Sequence, residues 1–515
     1  MMATEFALPP IERRPVHKTE TRPARVKLWL QEFARTPPTE AARIIGDALA
    51  AQNRIRIASG RRLQLLELCN EAVDRLWPSI KRQFSQQAHP LNREAAQAAR
   101  NTLHLMTELA TGYKRLLAED ANKRLQFGTT RLRLGLIHRT QRSLARVLMA
   151  GYSCYCAIPP GTWLDLHQTY LYARRLGLHR HPINPAHPTL TPEVSYVQTL
   201  LLGLANPYGL LTGQLSRAVA LLAEHCSLAE LTTTAPIATD AETSFLAVIH
   251  AHTDQAPLPW AKLAVADEGD AFYLHTELLV NELRRQLTEL ENSSLPAAGS
   301  GEDFQRVQRA DFLRRLERSW QLVAHRELPP PARDHVFTVS SGFTPVWQYL
   351  HADSVAQPRT DAAQLQVTSL CALISQTNNN GYVLRQLRPP PRPVRIGELL
   401  ALRERADEVW RIAVVRWFRN TLQHQTLELG CELLARGGEA VTVLIDEAGR
   451  NYTQPSLFLA GEPDPVQPGS LLARPHTLSA HRPAVMRRGN ATIPIKIGAL
   501  REQSASFARF EVAYA

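Results

Sequence analysis

Apolar residues recur at steps of three and four through the first half of this chain and at steps of two through its last third. Leu66, Cys69, Val73, Leu76 and Ile80 lay one apolar stripe along a helix face, with polar residues between them. The same spacing runs from Leu103 to Leu117 and again through Leu278, Leu279, Leu283, Leu287 and Leu290. It predicts helices from Val26 to about Leu290, punctuated by Pro182, Pro185, Pro188 and Pro192. No clean internal repeat follows, so the expectation is a helical bundle or an irregular solenoid.

Asn292 to Gly301 is rich in Ser, Gly, Ala and Pro and reads as a linker. One more helix follows, with Val307, Leu313, Leu316 and Trp320 on or near one face. Then the period changes. Leu427, Leu429, Cys431 and Leu433 alternate with Glu428, Gly430 and Glu432, the pattern of a half-buried strand. Ile493, Ile495 and Ile497 alternate likewise, although Pro494 between them suits only an edge strand. Phe510, Val512 and Tyr514 form a further strand, and Arg488-Gly489-Asn490 reads as a hairpin turn. Short, evenly spaced strands predict a barrel or a sandwich. The fold class is therefore α+β multidomain, an all-α helical bundle or irregular solenoid followed by an antiparallel β-barrel and further short strands.

Composition narrows the function classes. With 44% hydrophobic and 21% charged residues, the chain has the makeup of an ordinary soluble globular protein. Its formal net charge of +11 favours anionic partners. Nucleic acid is a poor fit, because 7% aromatics supply few stacking platforms for a basic barrel face. The six cysteines have no metal-ligand spacing; Cys154 and Cys156 form a single C-x-C without a second pair. A cytoplasmic location is expected: Met1 to Arg25 carry no apolar leader, and the run around Leu200 to Leu211 is too short to span a bilayer.

One constellation stands out. Ser375-Gln376-Thr377-Asn378-Asn379-Asn380-Gly381-Tyr382 is a polar turn between strand-like runs. Trp410-Arg411-Ile412-Ala413-Val414-Val415-Arg416-Trp417 follows, then Leu427 to Leu434 with its central Gly430. This order of elements resembles the PilZ family, whose members sense the bacterial second messenger cyclic di-GMP. The family holds its ligand with an R-x-x-x-R stretch before the first strand and a D/N-x-S-x-x-G turn on the barrel. Guanidinium forks suit the two phosphates and stack on the bases, and a turn ending in Gly lets backbone approach a guanine edge. In this chain the resemblance implies ligand-binding roles for Arg326, Arg333, Asn378 and Gly381. Gln376 stands where the family has Asp or Asn, Asn378 stands where it has Ser, and the two arginines are seven positions apart instead of four. An R-x-x-x-R does occur at Arg388 to Arg392, but after the turn, and it reads as a coincidence in an Arg/Pro-rich loop. The bland reading of Asn-Asn-Asn-Gly is a β-turn of any protein, since both residue types tolerate positive φ.

The expected divisions are a disordered tail (1–24), a helical domain (25–291), a linker (292–302), a connecting helix (303–325), a PilZ-like barrel (326–435) and a second small β unit (436–515). No phosphate loop, nucleophile elbow or zinc-protease motif is present, and His179, His181 and His187 lack a further ligand at metal spacing, so no enzyme activity, metal or cofactor is expected. The resemblance implies a bacterial signalling effector that binds cyclic di-GMP and acts on a protein partner through its helical region. The departures at Gln376 and Asn378 leave a second reading open, a ligand-free interaction scaffold.

Overall fold

The computed structural model describes residues 6–12, 19–85, 87–121, 130–234, 244–260, 271–292, 301–322, 327–328, 335–354, 368–377, 381–404, 409–447, 450–461 and 469–514. The chain divides into two compact units, Met1–Gln87 with Arg93–Ala324, and Ala88–Asn92 with His325–Ala515.

The first unit contains α1 (Pro23–Glu32), α2 (Pro38–Asn53), α3 (Ser59–Ser85), α4 (Arg93–Ala121), α5 (Thr130–Ser153), α6 (Thr162–Arg175), α7 (Pro192–Leu204), α8 (Gln214–His225), α9 (Glu277–Asn292) and α10 (Gly301–Trp320). The stripe on α3 is the buried one: Leu66, Cys69, Val73 and Ile80 face the core. Long α4 packs against α2, α3 and α5, which explains why its middle is buried nearly all round. On α10, Leu313, Leu316 and Trp320 are buried, and the Trp320 indole N–H donates to the Leu201 carbonyl at 2.9 Å.

Two features depart from the periodicity. A four-stranded antiparallel sheet lies within the stretch expected to be helical, with β1 (Glu230–Thr232), β2 (Leu246–His250), β3 (Leu258–Pro259) and β4 (Ala271–His275) in the order β1-β4-β2-β3. Its strands are too short to impose a period on the sequence. The tail expected to be disordered also has placed segments. Phe6 is buried, the Glu12 amide donates to the Arg54 carbonyl at 2.8 Å, and the Arg115 guanidinium donates to the Pro9 carbonyl.

The second unit holds β5 (Glu327–Leu328), β6 (Val336–Ser341), α11 (Phe343–Ser354), β7 (Thr368–Thr377), β8 (Gly381–Gln386), β9 (Leu399–Glu404), β10 (Arg411–Thr421) and β11 (Thr426–Ala435). The pairings β7-β6-β9-β10-β11-β8, with β8 returning to β7, close a ring of antiparallel strands, and β5 adds to β7 beside β6. A second ring follows: β12 (Glu439–Glu447), β13 (Arg450–Leu459), β14 (Ser470–Ala473), β17 (Ala508–Tyr514), β16 (Ala491–Gln503) and β15 (Pro483–Arg488) close a barrel of their own. Its core is Val441, Val443, Phe458, Leu471, Met486, Ile495 and Ile497 with their neighbours. The expected hairpin at Arg488 closes β15 onto β16, with Gly489 at φ +56°. β16 is not an edge strand. Its register with β17 stops at Ile495–Tyr514, one position short of Pro494, so the ring tolerates the missing N–H there.

The two barrels share a core. Phe343 and Val346 of α11, with Leu399, Ile412 and Val414, pack against Leu457, Leu459, Leu472 and Phe507. β9 and β10 are therefore covered on both faces, and Ile412, Ala413, Val414 and Val415 are all buried.

Candidate functional site

Strand direction alternates around the first ring, so one end gathers the C-termini of β7, β9 and β11 and the N-termini of β6, β8 and β10. This mouth carries the 377–381 hairpin. Gly381 opens β8 opposite Glu432, and its amide donates to Thr377 Oγ1 at 3.1 Å. A Cβ on Gly381 would stand 2.5 Å from that oxygen, so a side chain there must displace the Thr377 hydroxyl. Of the residues singled out from the sequence, Gly381 is described here; Arg326, Arg333 and Asn378 lie outside the described residues.

The backbone around them is informative. Glu327 pairs with Thr377 and Leu328 with Gln376, so β5 runs antiparallel along the last residues before the turn. At the other end of the same stretch, the Leu373 amide donates to the His335 carbonyl at 2.9 Å, and Val336 pairs with Ala372. Residues 328 and 335 are thus both fixed on the β7 edge within a few residues of the hairpin.

Side chains at the mouth form a cluster that sequence reasoning did not single out. His335 Nδ1 bonds Glu404, which also faces Arg411 at 3.5 Å. The Arg411 guanidinium lies over the Phe337 ring at 5.5 Å, and the Phe337 and Tyr382 rings stand 6.1 Å apart. Arg403 lies over the Trp410 ring at 4.6 Å. A guanidinium beside aromatic rings, as Arg411 is beside Phe337 and Tyr382, offers a cation and a ring suited to a base or a phosphate.

The arginines farther along the strands are committed elsewhere. Arg385 and Arg419 flank Glu428 at 2.9 and 3.0 Å on the outer face. Burial pushes the Glu428 carboxyl up, but the bonds from Arg419 and Arg385 outweigh it and hold the group below its ordinary value. Arg416 bonds Glu432 at 2.6 Å and also Glu502 of the second barrel. Trp417, adjacent to it, covers Gly430: a Cβ there would stand 1.9 Å from the indole Nε1. Arg388 and Arg392 follow the other end of β8, and the strand from Gly381 to Gln386 spans about 17 Å. They belong to the opposite end of the barrel from the hairpin.

Residues 348–439, the stretch that carries the hairpin and most of this ring, match the family described as the middle PilZ domain of the cyclic-di-GMP receptor FimW. The chain carries a PilZ domain by this match. Residues 24–236 match the N-terminal domain of the same FimW family, so the likeness extends through much of the helical unit. A relative along most of the chain is the cyclic-di-GMP receptor FimW of Pseudomonas aeruginosa, 24% identical over 482 residues, covering 81% of this chain and 77% of that protein. No solved structure matches the chain. No helix among the described residues is long and apolar enough to cross a membrane.

Proposed function

We propose that this protein is a non-enzymatic bacterial receptor for cyclic di-GMP, with the ligand held at the mouth of the first barrel. The observation that carries the reading is the β5 register, which sets Glu327, the residue after Arg326, opposite Thr377 at the turn. Arg326 and Arg333 would grip the phosphates and guanine faces, and the Asn378–Gly381 turn would meet a guanine edge. The name of the Pseudomonas relative, a cyclic-di-GMP receptor, supports the ligand. Signal output runs through a protein partner of the helical unit, in the cytoplasm. No cofactor enters this account.

The departures at Gln376 and Asn378 favour a second reading, a scaffold whose barrel has lost its nucleotide. Thermal unfolding of the full chain separates the two. A ligand at a hundred times its Kd stabilises the folded state by about 2.7 kcal/mol. A rise in the unfolding midpoint with cyclic di-GMP, absent with GMP, supports the receptor; an unchanged midpoint at millimolar ligand supports the scaffold.

A further inference from the structure

We infer that Arg411 is a further ligand-contacting cation of the mouth, and that Glu404 is its resident counter-anion, which a phosphate of the nucleotide must displace. The inference rests on the receptor reading given above and assigns two more residues to the same site.

Strand register puts these groups on one side of the sheet. Arg411 of β10 stands opposite Leu402 of β9, while Leu402 and Glu404 stand opposite Val339 and Phe337 of β6. Residues paired in this way project to the same face. The alternate residues, Leu399, Ala401, Ile412 and Val414, pack towards the second barrel. Arg411 and Glu404 therefore belong to the inner face of the first ring, at the end that carries the hairpin. Tyr382 also reaches this end: it pairs with Gln376 at the turn, and its ring stands 6.1 Å from that of Phe337.

The cluster is open to a ligand. Glu404, Arg411 and His335 keep 20%, 23% and 34% of their side-chain surface exposed. One carboxylate serves two cationic partners: Glu404 bonds His335 Nδ1 and faces the Arg411 guanidinium at 3.5 Å. That separation is longer than a charge-assisted hydrogen bond of about 2.7–2.9 Å, so Glu404 holds Arg411 loosely. His335 follows Arg333 by two residues, which ties the same carboxylate to the end of the arginine segment. A phosphate on Arg411 brings a second negative charge beside Glu404, and like charges repel strongly in a half-buried setting. Glu404 must then release Arg411, and its charge weakens nucleotide binding.

The test is calorimetric titration of cyclic di-GMP into the full chain, beside Glu404→Gln, Arg411→Ala and the double variant. Glu404→Gln is expected to bind about tenfold more tightly and Arg411→Ala about tenfold more weakly. The gain from Glu404→Gln should vanish where Arg411 is absent. Tighter binding is an effect that damage to the barrel rim does not produce, and Arg411→Lys, which keeps the cation, should bind better than Arg411→Ala. Binding of unchanged or lower strength in Glu404→Gln would overturn the inference alone. So would a gain that persists in the double variant, which would make Glu404 a diffuse repulsive charge that does not act through Arg411. No heat from any of the proteins would overturn the receptor reading, and this inference with it.

Discussion

Glu327 stands opposite Thr377 across a two-residue antiparallel pairing, and that register point ties the chain entering the first barrel to the hairpin that closes on Gly381. A short β5 has few backbone bonds to hold it. Ligand contacts on either side of the pairing would therefore reinforce one another, and loss of one side would loosen the other.

Gly381 and Thr377 are coupled in a way that a double mutant can read. Gly381→Ala forces Thr377 Oγ1 away and breaks its bond to the residue 381 amide, a loss of about 1 kcal/mol. Thr377→Ala removes the same bond. The double variant is expected to cost no more than Thr377→Ala alone in urea unfolding, because the obstructing oxygen is gone.

Gly430→Ala is expected to be more damaging. The indole of Trp417 occupies the space of a Cβ, and a side chain there must lift the ring off β11. Overpacking of this kind costs about 1–3 kcal/mol. Trp417→Leu in the same chain should restore part of the loss, measured as the shift in the urea midpoint.

Acid sensitivity should begin early. His89 and His167 are buried, and burial pushes each imidazole down from 6.5 to about 4. His167 is held neutral by its surroundings, with Nε2–H donating to the Gln255 carbonyl at 2.9 Å and Nδ1 accepting from the Tyr196 hydroxyl at 2.7 Å. The unfolded chain binds these protons first. Their contribution to stability is full above pH 6.5 and is lost as pH falls towards 4, at about 1.4 kcal/mol per pH unit for each histidine. Urea midpoints at pH 7 and 5 should differ accordingly, and His167→Gln should flatten the dependence. A flat wild-type profile across that window contradicts the assignment.

The alternation at Leu427 to Leu433 revealed β11 because that strand has one face inside the ring and one outside. Ile412 to Val415 gave no alternation, since α11 and the second barrel cover the outer face of β10. The β1–β4 sheet stayed hidden for a different reason: its strands are only two to five residues long. At the site, the turn was legible through Gly381, a local feature. The mouth cluster was not, because His335 and Glu404 stand 69 residues apart and meet only through the β6–β9 register. The Arg388–Arg392 spacing illustrates the converse. It satisfies a motif in sequence, yet the direction of β8 carries it away from the turn.

The central claim is that arginines entering the first barrel hold cyclic di-GMP against the 377–381 hairpin. Calorimetric titration of the ligand into the full chain, beside Arg326→Ala and Arg333→Ala, tests it most directly. A charge-assisted bond to phosphate is worth about 1.5–3 kcal/mol, so each substitution should weaken binding by roughly 10- to 100-fold without changing the unfolding midpoint. Binding of equal strength in all three proteins, or no heat from the unsubstituted chain, would contradict the account.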